Sequence, residues 1–429
     1  RERTRPTTSF THGGKMLPSR CLRFAVVLRI FFSELERERL RDHKLACVAS
    51  RSGKRSDSTP QGLATELRKV HAANRMTFEV QIARRNFEPH PFACFRQIAG
   101  SAAASGLALA NVDLVGTPEG SAFPILSIVE LQQQVLSLGC VITGTTAELA
   151  PADRRLYALR DVTGTVPSIP LITGSIMSKK LSESPAALVL DVKFGSGAFM
   201  KTAAEAAQLA ESLVRTGTSM HVRTTALLTD MNQPLGAMCG NALEVQEAVQ
   251  VMQGHGPADV RRLSVQLAAQ VLVDSAACAD PVAATARCER LLESGAVYDR
   301  FLRMVSAQGG DHRLPLQFAP VTELTAARDG FVQQIQAEQL GYAVIAMGGG
   351  RQRAADVIDH SVGLEMLVRI GDRVAAGQPL VRLYCHDPQA AGQQVLASLV
   401  LSESPVLEPL PLIHSRLTML DHQFVQQAG

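Results

Sequence analysis

Three polar residues between positions 157 and 180 could together hold a flat ligand. Ser175 and Lys179 are four residues apart, so a helix would place them on one face. A serine hydroxyl donates and accepts hydrogen bonds, whereas a lysine ammonium only donates. Arg160 precedes Ser175 by fifteen residues and carries a planar guanidinium. These residue types predict a site that donates hydrogen bonds to a carbonyl-bearing ring.

Spacing alone does not select this interpretation. Polar pairs four residues apart are common on solvated helix faces, and Arg160 could pair with the adjacent Asp161. From spacing alone we favour that simpler arrangement. Ser168 and Pro170 are good helix-start residues, so the helix itself is expected either way.

The elements that would position these residues begin at about residue 126. Residues 127–138 predict a helix and residues 140–143 a buried strand. Residues 187–194 form an apolar, strand-like run, and residues 222–228 form another. Between them Thr202 and Glu205 predict a capping box at a helix start. This order predicts a βαβ unit.

Two further patterns follow along the chain. Asn241 with Glu244 predicts a second capped helix start. After about Pro320 short strands and glycine turns predict a small barrel-sandwich. Lipoyl and biotinyl carriers share that hairpin pattern, but residues 321–429 contain no lysine for a cofactor. The carrier interpretation therefore fails.

The predicted fold class is α/β, with a mostly parallel sheet and helices, a remnant of a small helical domain, and a C-terminal α+β domain similar to a barrel-sandwich. The predicted α/β domain takes residues 126–150 and 183–320. Residues 151–182 form part of the small helical domain with the candidate site residues. The C-terminal domain takes residues 321–429.

Residues 1–125 stay unassigned, either disordered or misjoined. The net charge of +3 hides a net of +11 in residues 1–100 and a net of −8 in the remainder. Residues 1–120 also show little sustained apolar periodicity. We favour a truncated or misjoined segment; a basic nucleic-acid arm and a targeting segment are the alternatives.

Composition excludes several classes of protein. Hydrophobic residues make up 46% and charged residues 19%, which is ordinary for a globular protein. The apolar run at residues 25–32 is interrupted by Arg29 and is too short for a membrane span of roughly 20 residues. Eight scattered cysteines without a C-x-x-C pair predict free thiols in a reducing compartment. We expect a cytoplasmic protein that binds neither membrane nor nucleic acid.

The string from Tyr157 to Lys180 resembles the signature segment of the thymidine and pyrimidine-nucleoside phosphorylases. The resemblance extends over residues 126–429. Further family-like strings follow in order at residues 151–153, 191–200, 230–236, 240–245 and 348–351. Gly164, Pro167 and Gly174 depart from the family, which more often has alanine, aspartate and alanine there.

The resemblance implies a reaction and a set of contacts. Arg160, Ser175 and Lys179 would hold the pyrimidine base, and Arg160 and Lys179 would also act in catalysis. The implied reaction is reversible phosphorolysis, in which phosphate attacks C1′ of a (deoxy)ribonucleoside and releases the base and a sugar 1-phosphate. No cofactor is implied, inorganic phosphate is a co-substrate, and the family forms homodimers.

Phosphate is a dianion that needs a site of its own. The family supplies a Lys-His-Ser-Thr-Gly-Gly-x-Gly-Asp string and a Ser-Gly-Arg-x-x-x-x-Thr-Gly-Gly-Thr string. Neither occurs in residues 1–150. The glycine turns at 195–197 and 348–350 match other parts of the family, so we interpret them as structural turns. We expect impaired activity of these 429 residues.

Two alternatives remain open. A non-catalytic, dimerising relic is favoured by the absent phosphate strings. A phosphoribosyltransferase of the same fold is disfavoured by the string with Arg160, Ser175 and Lys179.

A monovalent-cation site is also implied by the resemblance. Bacterial members bind potassium partly through a stretch that matches Leu235, Met238 and Glu247, the first two by backbone carbonyls. Met238 replaces the usual alanine, which a carbonyl contact tolerates. The simpler interpretation, which we favour, makes Glu247 a surface helix residue.

Overall fold

The computed structural model of the chain describes residues 168–181, 187–350, 356–406, 410–420 and 423–429. It also describes residue 185 and ten single residues nearer the amino terminus, namely 130, 133, 134, 137, 138, 140, 152, 153, 155 and 156. Residues 1–125, Arg160 and most of the predicted strand at 140–143 lie outside the described residues.

A βαβ unit forms the centre of the α/β part. Helix α1 (Ile169–Leu181) precedes it, and strand β1 (Ala187–Phe194) leads through helix α2 (Ala203–Ser219) to strand β2 (Arg223–Asp230). The two strands run parallel and pair along their full length of eight residues. The predicted βαβ unit is confirmed.

Helix α2 begins at the capping box that the sequence predicts. The Glu205 backbone N–H donates to the Thr202 hydroxyl at 3.2 Å, and the Thr202 N–H donates to Glu205 Oε2 at 3.1 Å. The backbone N–H of Thr202, followed by that of Lys201, lowers the pKa of Glu205. The buried face of α2 includes Leu213 and packs on the strands.

Four helices follow the short strand β3 (Met238–Cys239) and share an apolar core. They are α3 (Asn241–Met252), α4 (Ala258–Asp274), α5 (Pro281–Glu293) and α6 (Ala296–Ala307). Leu263 and Leu267 of α4 also pack against Leu227 of β2. Leu138 joins the helical core, and the buried Arg300 of α6 donates to its carbonyl oxygen. This bond ties the segment before the site to the helices.

Two small sheets form the C-terminal sandwich that the sequence predicts. The remaining strands of these sheets are β4 (Val321–Thr325), β5 (Gly330–Ile335), β6 (Gly363–Met366), β7 (Arg373–Val374), β8 (Pro379–Tyr384) and β9 (Leu399–Ser402). One sheet has the order β3-β6-β8-β4 and the other β7-β5-β9. Helices α7 (Ala337–Val344) and α8 (Pro388–Ala397) share their core. Gly371 and Gly377 have φ values of 98° and 81°, which tight turns between strands require.

The central sheet is mixed in the described residues, which corrects the prediction of a mostly parallel sheet. A C-terminal hairpin of β10 (Ile413–Leu420) and β11 (Gln423–Ala428) extends it to the order β1-β2-β10-β11. Strand β10 runs antiparallel to β2, and β11 runs antiparallel to β10. The hairpin joins this sheet because Ile413 and Leu417 bury their side chains in the cores of the α/β part. The α/β class itself is confirmed.

The two parts of the chain therefore exchange strands. Strand β3 precedes the four helices but pairs with β6 of the sandwich. Strands β10 and β11 follow the sandwich but pair in the sheet of β1 and β2. Residues 413–428, which follow the sandwich in the sequence, thus extend the central sheet.

The start of α3 also differs from its prediction. Asn241 does not cap the helix, because its side-chain amide donates to the carbonyl of Gly349 at 3.1 Å. Gly240 takes the cap position with φ 146°, and its N–H donates to Glu244 Oε1 at 3.4 Å. A side chain at Gly240 would collide with the backbone of Val362 and Gly363. Glycine is needed there for close approach to the sandwich.

Gly174→Ala should stabilise the protein. Gly174 is exposed in the middle of α1, and an added Cβ would meet no described atom within 4 Å. Alanine is favoured over glycine inside a helix by about 1 kcal/mol, so we expect the melting temperature to rise by roughly 2–4 °C. Gly217→Ala is the matched control, because its Cβ would collide with Thr224 and should lower the melting temperature. An unchanged or lower value for Gly174→Ala would contradict the prediction.

Asp274→Asn should stabilise the protein at neutral pH. Asp274 is 8% exposed at the carboxyl end of α4, and burial raises the pKa of its side chain. The folded protein therefore favours the protonated carboxyl of Asp274. Its contribution to the free energy of unfolding is fully present below the ordinary pKa of aspartate and is lost as the pH rises through the raised pKa of the folded state. Asparagine keeps the acceptor that Gln270 Nε2 reaches at 2.8 Å.

Thermal unfolding at pH 4 and pH 8 tests this expectation. We expect a melting temperature above that of the parent at pH 8 and a smaller difference at pH 4. Asp299→Asn, at an exposed position of α6, is the control and should show no such pH-dependent gain. Equal effects of Asp274→Asn at both pH values would contradict the assignment.

Candidate functional site

Helix α1 buries two flanks of its surface. Thr173 and Met177 form one flank; the Thr173 hydroxyl lies 2.9 Å from that of Ser212 on α2, and Met177 enters the core under α2. Ser175 and Lys179 lie about 160° away around the helix, at 100° per residue. Ser175 is 6% exposed and Lys179 is 7% exposed. The pair shares one face, but the face is buried, so the interpretation as a solvated helix face is wrong.

A polar cluster joins this flank of α1 to a second segment. Lys179 Nζ donates to Ser175 Oγ at 2.8 Å and to Asp153 Oδ2 at 2.5 Å. Because an ammonium only donates, the Ser175 oxygen accepts here, and the Ser175 hydroxyl keeps its own proton for donation. The cluster thus contains donor groups of both Ser175 and Lys179.

Asp153 is the member of this cluster that sequence analysis did not assign to the site. It lies among helical residues that include 152, 155 and 156, and it is 26 positions before Lys179. The only sequence signal was its place in the family-like string 151–153. Arg160 lies outside the described residues, so its place beside Ser175 and Lys179 stays a prediction.

The candidate cation loop is tightly held. Glu247 is 1% exposed, and its Oε1 accepts from the backbone N–H groups of Ala237 at 2.7 Å and Met238 at 3.1 Å. The interpretation of Glu247 as a surface helix residue is therefore wrong. The carboxylate fixes the turn that also contains Leu235.

The sandwich holds the same loop from its other side. Arg369 donates to the carbonyl oxygens of Pro234 at 2.7 Å and Gly236 at 2.8 Å and pairs with Asp259. Among the residues that the structure describes, no group of three or more His, Cys, Asp or Glu could hold a metal ion. Backbone carbonyls with one carboxylate are nevertheless oxygen donors that suit an alkali cation, so the donor set of Leu235, Met238 and Glu247 fits potassium chemically.

The carboxyl edge of β1 and β2 carries a second polar cluster. Lys193 Nζ lies 2.7 Å from Asp191 Oδ2 and donates to Thr229 Oγ1 at 3.2 Å, while the Thr229 hydroxyl donates to Asp191. The three side chains thus satisfy one another's hydrogen-bonding groups across the parallel strands. Next to them burial raises the pKa of Asp230, although the Asn232 backbone and side chain oppose this shift. The cluster ties the two strands together.

The glycine turn after β1 is occupied by internal hydrogen bonds. The N–H of Gly195 donates to Met200, and the N–H of Gly197 donates to Met231, both at 3.0 Å. The Ser196 N–H donates to Asn232 Oδ1 at 3.0 Å, and its hydroxyl donates to the Ile335 carbonyl at 3.1 Å. These donors hold the turn against the sandwich, in agreement with a structural turn.

The second glycine turn also makes internal contacts. Gly348 has φ 99° within a π-helical segment, Ile345–Gly349, and its carbonyl accepts from the Asp359 N–H at 2.9 Å. The carbonyl of Gly349 accepts from Asn241.

No helix among the described residues is both long and apolar enough to cross a membrane.

Two family models match the chain. That of the glycosyl transferase family a/b domain matches residues 126–298. That of the pyrimidine nucleoside phosphorylase C-terminal domain matches residues 331–400. Together they cover the βαβ unit, helices α3 to α5 with the start of α6, and most of the sandwich.

Named relatives agree with these models. The thymidine phosphorylase of Burkholderia lata is 46% identical over 289 residues, which are 65% of this chain and 64% of the relative. The thymidine phosphorylase of Burkholderia cenocepacia is 44% identical over 297 residues, which are 67% of each chain. The chain thus spans about two thirds of the length of these relatives. By these similarities it belongs to the family of thymidine and pyrimidine-nucleoside phosphorylases.

Proposed function

We propose that the chain takes part in the reversible phosphorolysis of thymidine or related pyrimidine nucleosides, and that α1 holds the pyrimidine base. The observation that carries this proposal is the buried ammonium of Lys179, bonded to Ser175 on the same helix face. Burying such a group is unfavourable unless it makes hydrogen bonds, and a ring with carbonyl oxygens would accept one from it.

The chemistry of the leaving group fits these donors. As the glycosidic bond breaks, negative charge develops on the pyrimidine ring and positive charge on the sugar. A fixed ammonium beside the ring carbonyls stabilises that negative charge more strongly than it stabilises the neutral nucleoside. Lys179 and Arg160 would act in this way, and the Ser175 hydroxyl would orient the ring.

Phosphate and the cation complete the proposal. Inorganic phosphate is the co-substrate, and no organic cofactor is required. The carbonyls of Leu235 and Met238 and the carboxylate of Glu247 would hold a potassium ion, which would supply positive charge near the helices. The cytoplasmic location and the homodimer are part of the same proposal.

The family match at residues 331–400 favours a phosphorylase over a phosphoribosyltransferase. The alternative is a non-catalytic relic, and a turnover assay distinguishes it from an active phosphorylase. Its support is the absence of the two phosphate-binding strings from residues 1–150.

Lys179→Met should weaken thymine binding. Removal of a charge-assisted hydrogen bond costs roughly 1.5–3 kcal/mol, which corresponds to a loss of affinity of about 10- to 150-fold. Isothermal titration of the 429-residue chain with thymine measures it. Lys201→Met is the matched control, because the Lys201 side chain is 51% exposed and pairs with Glu338. Equal thymine affinity in parent and Lys179→Met would refute the base-binding role.

Thymidine phosphorolysis by the 429 residues alone should be at or near background. Without a positioned phosphate the bimolecular barrier loses a contribution of about 7–11 kcal/mol. The assay is release of thymine from thymidine with and without inorganic phosphate. Joining a family-type phosphate-binding segment before residue 126 should restore turnover. Robust phosphate-dependent turnover by the unmodified chain would reveal a phosphate site elsewhere and would end the relic interpretation.

A further inference from the structure

We infer that Asp153 is a positioning residue that holds the Lys179 ammonium in the orientation needed by the base. This inference rests on the proposed function and adds a residue to it. Asp153 would not touch the substrate; it would act through Lys179.

The first argument is the shared burial of the two charges. Lys179 Nζ and Asp153 Oδ2 are 2.5 Å apart, and their side chains are 9% and 13% exposed. Moving an ammonium this far from water is unfavourable unless a counter-charge offsets the lost hydration. The Asp153 carboxylate supplies that counter-charge.

The second argument is direction. A lysine side chain has a flexible four-carbon stem, so its ammonium has no fixed orientation of its own. Ser175 lies on the same helix as Lys179, whereas Asp153 approaches from a separate helical segment. Two N–H bonds directed to two different segments hold the ammonium in one position. Fixing a donor before the reaction is the requirement for stabilising a charge that develops only in the transition state.

The third argument is net charge. Lys179 and Asp153 together are neutral, so the site can accept an uncharged nucleoside without burying an unpaired cation. The ammonium still donates a charge-assisted bond to the ring as the ring becomes anionic. A merely structural ion pair would share the first argument, but its loss would not change base binding through Lys179.

Labelled lysine gives a direct measurement on the full chain. The sequence contains eight lysines, so selective labelling of the lysine Nζ yields few ammonium signals, and Lys179→Met assigns one of them. We expect the Lys179 signal to be sharp and slow in hydrogen exchange in the parent. Asp153→Asn should broaden or remove it, while Asp153→Glu, which keeps the carboxylate, should retain it. An unchanged Lys179 signal in Asp153→Asn, or equal loss in both variants, would overturn the inference.

A double-mutant cycle in thymine affinity tests the link to base binding. Asp153→Asn should weaken binding at least tenfold in the parent and less than twofold in the Lys179→Met background, because Asp153 acts through the lysine. Glu211→Gln, which removes an exposed ion pair with Arg215 on the neighbouring helix, is the control and should have no effect. Independent, multiplicative losses would overturn the positioning role. Absence of thymine binding by the parent would defeat the proposed function, while the lysine signal would still decide the role of Asp153.

Discussion

A buried ammonium cannot exist without partners, and this constraint organises the described part of the site. Helix α1 packs on α2 through Thr173 and Met177. That contact leaves Ser175 and Lys179 on the other buried flank. The charge of Lys179 can stay there only because another segment brings Asp153 to within 2.5 Å. The packing of one flank and the electrostatics of the other therefore have to be satisfied together.

The same rule applies to two charged side chains elsewhere, the buried Glu247 and the half-buried Arg369. The Glu247 carboxylate accepts hydrogen bonds from two backbone N–H groups. The Arg369 guanidinium donates to two backbone carbonyl oxygens and forms an ion pair with Asp259. Asp274 departs from the rule, because burial raises the pKa of its side chain despite nearby Arg223 and Arg416. Its neighbours include Thr225 and Arg223 at the start of β2 and do not include Ser175, Lys179 or Asp153, so a raised carboxyl pKa does not by itself mark a catalytic site.

Local patterns were enough to predict the local parts of this fold. The capping box of Thr202 and Glu205, the strand at 187–194 and the turn glycines Gly371 and Gly377 depend on neighbours within a few residues, and the structure agrees with them. The placement of β10 beside β2 could not be predicted. Its pairing partner is nearly 200 residues earlier, and the sequence of an apolar strand does not indicate which sheet edge it will pair with.

The candidate site shows the same limit. Spacing predicted that Ser175 and Lys179 share a face, because helical geometry alone decides that. It could not show that the face is buried, because burial depends on what packs over it. Asp153 was missed for the same reason, since a carboxylate 26 positions away gives no periodic signal. Asn241 was assigned as a cap, and its actual partner, Gly349, is even further along the chain.

Because of the exchange of strands, the loop at 233–238 connects the central sheet to the sandwich. It leaves β2 of the central sheet and enters β3, which pairs with β6 of the sandwich. Glu247 holds it from the helices and Arg369 holds it from the sandwich. A cation bound to the Leu235 and Met238 carbonyls would therefore touch a segment that both cores fix. Packed cores rearrange between discrete states and do not deform continuously, so contacts from both cores restrict the movement of this loop.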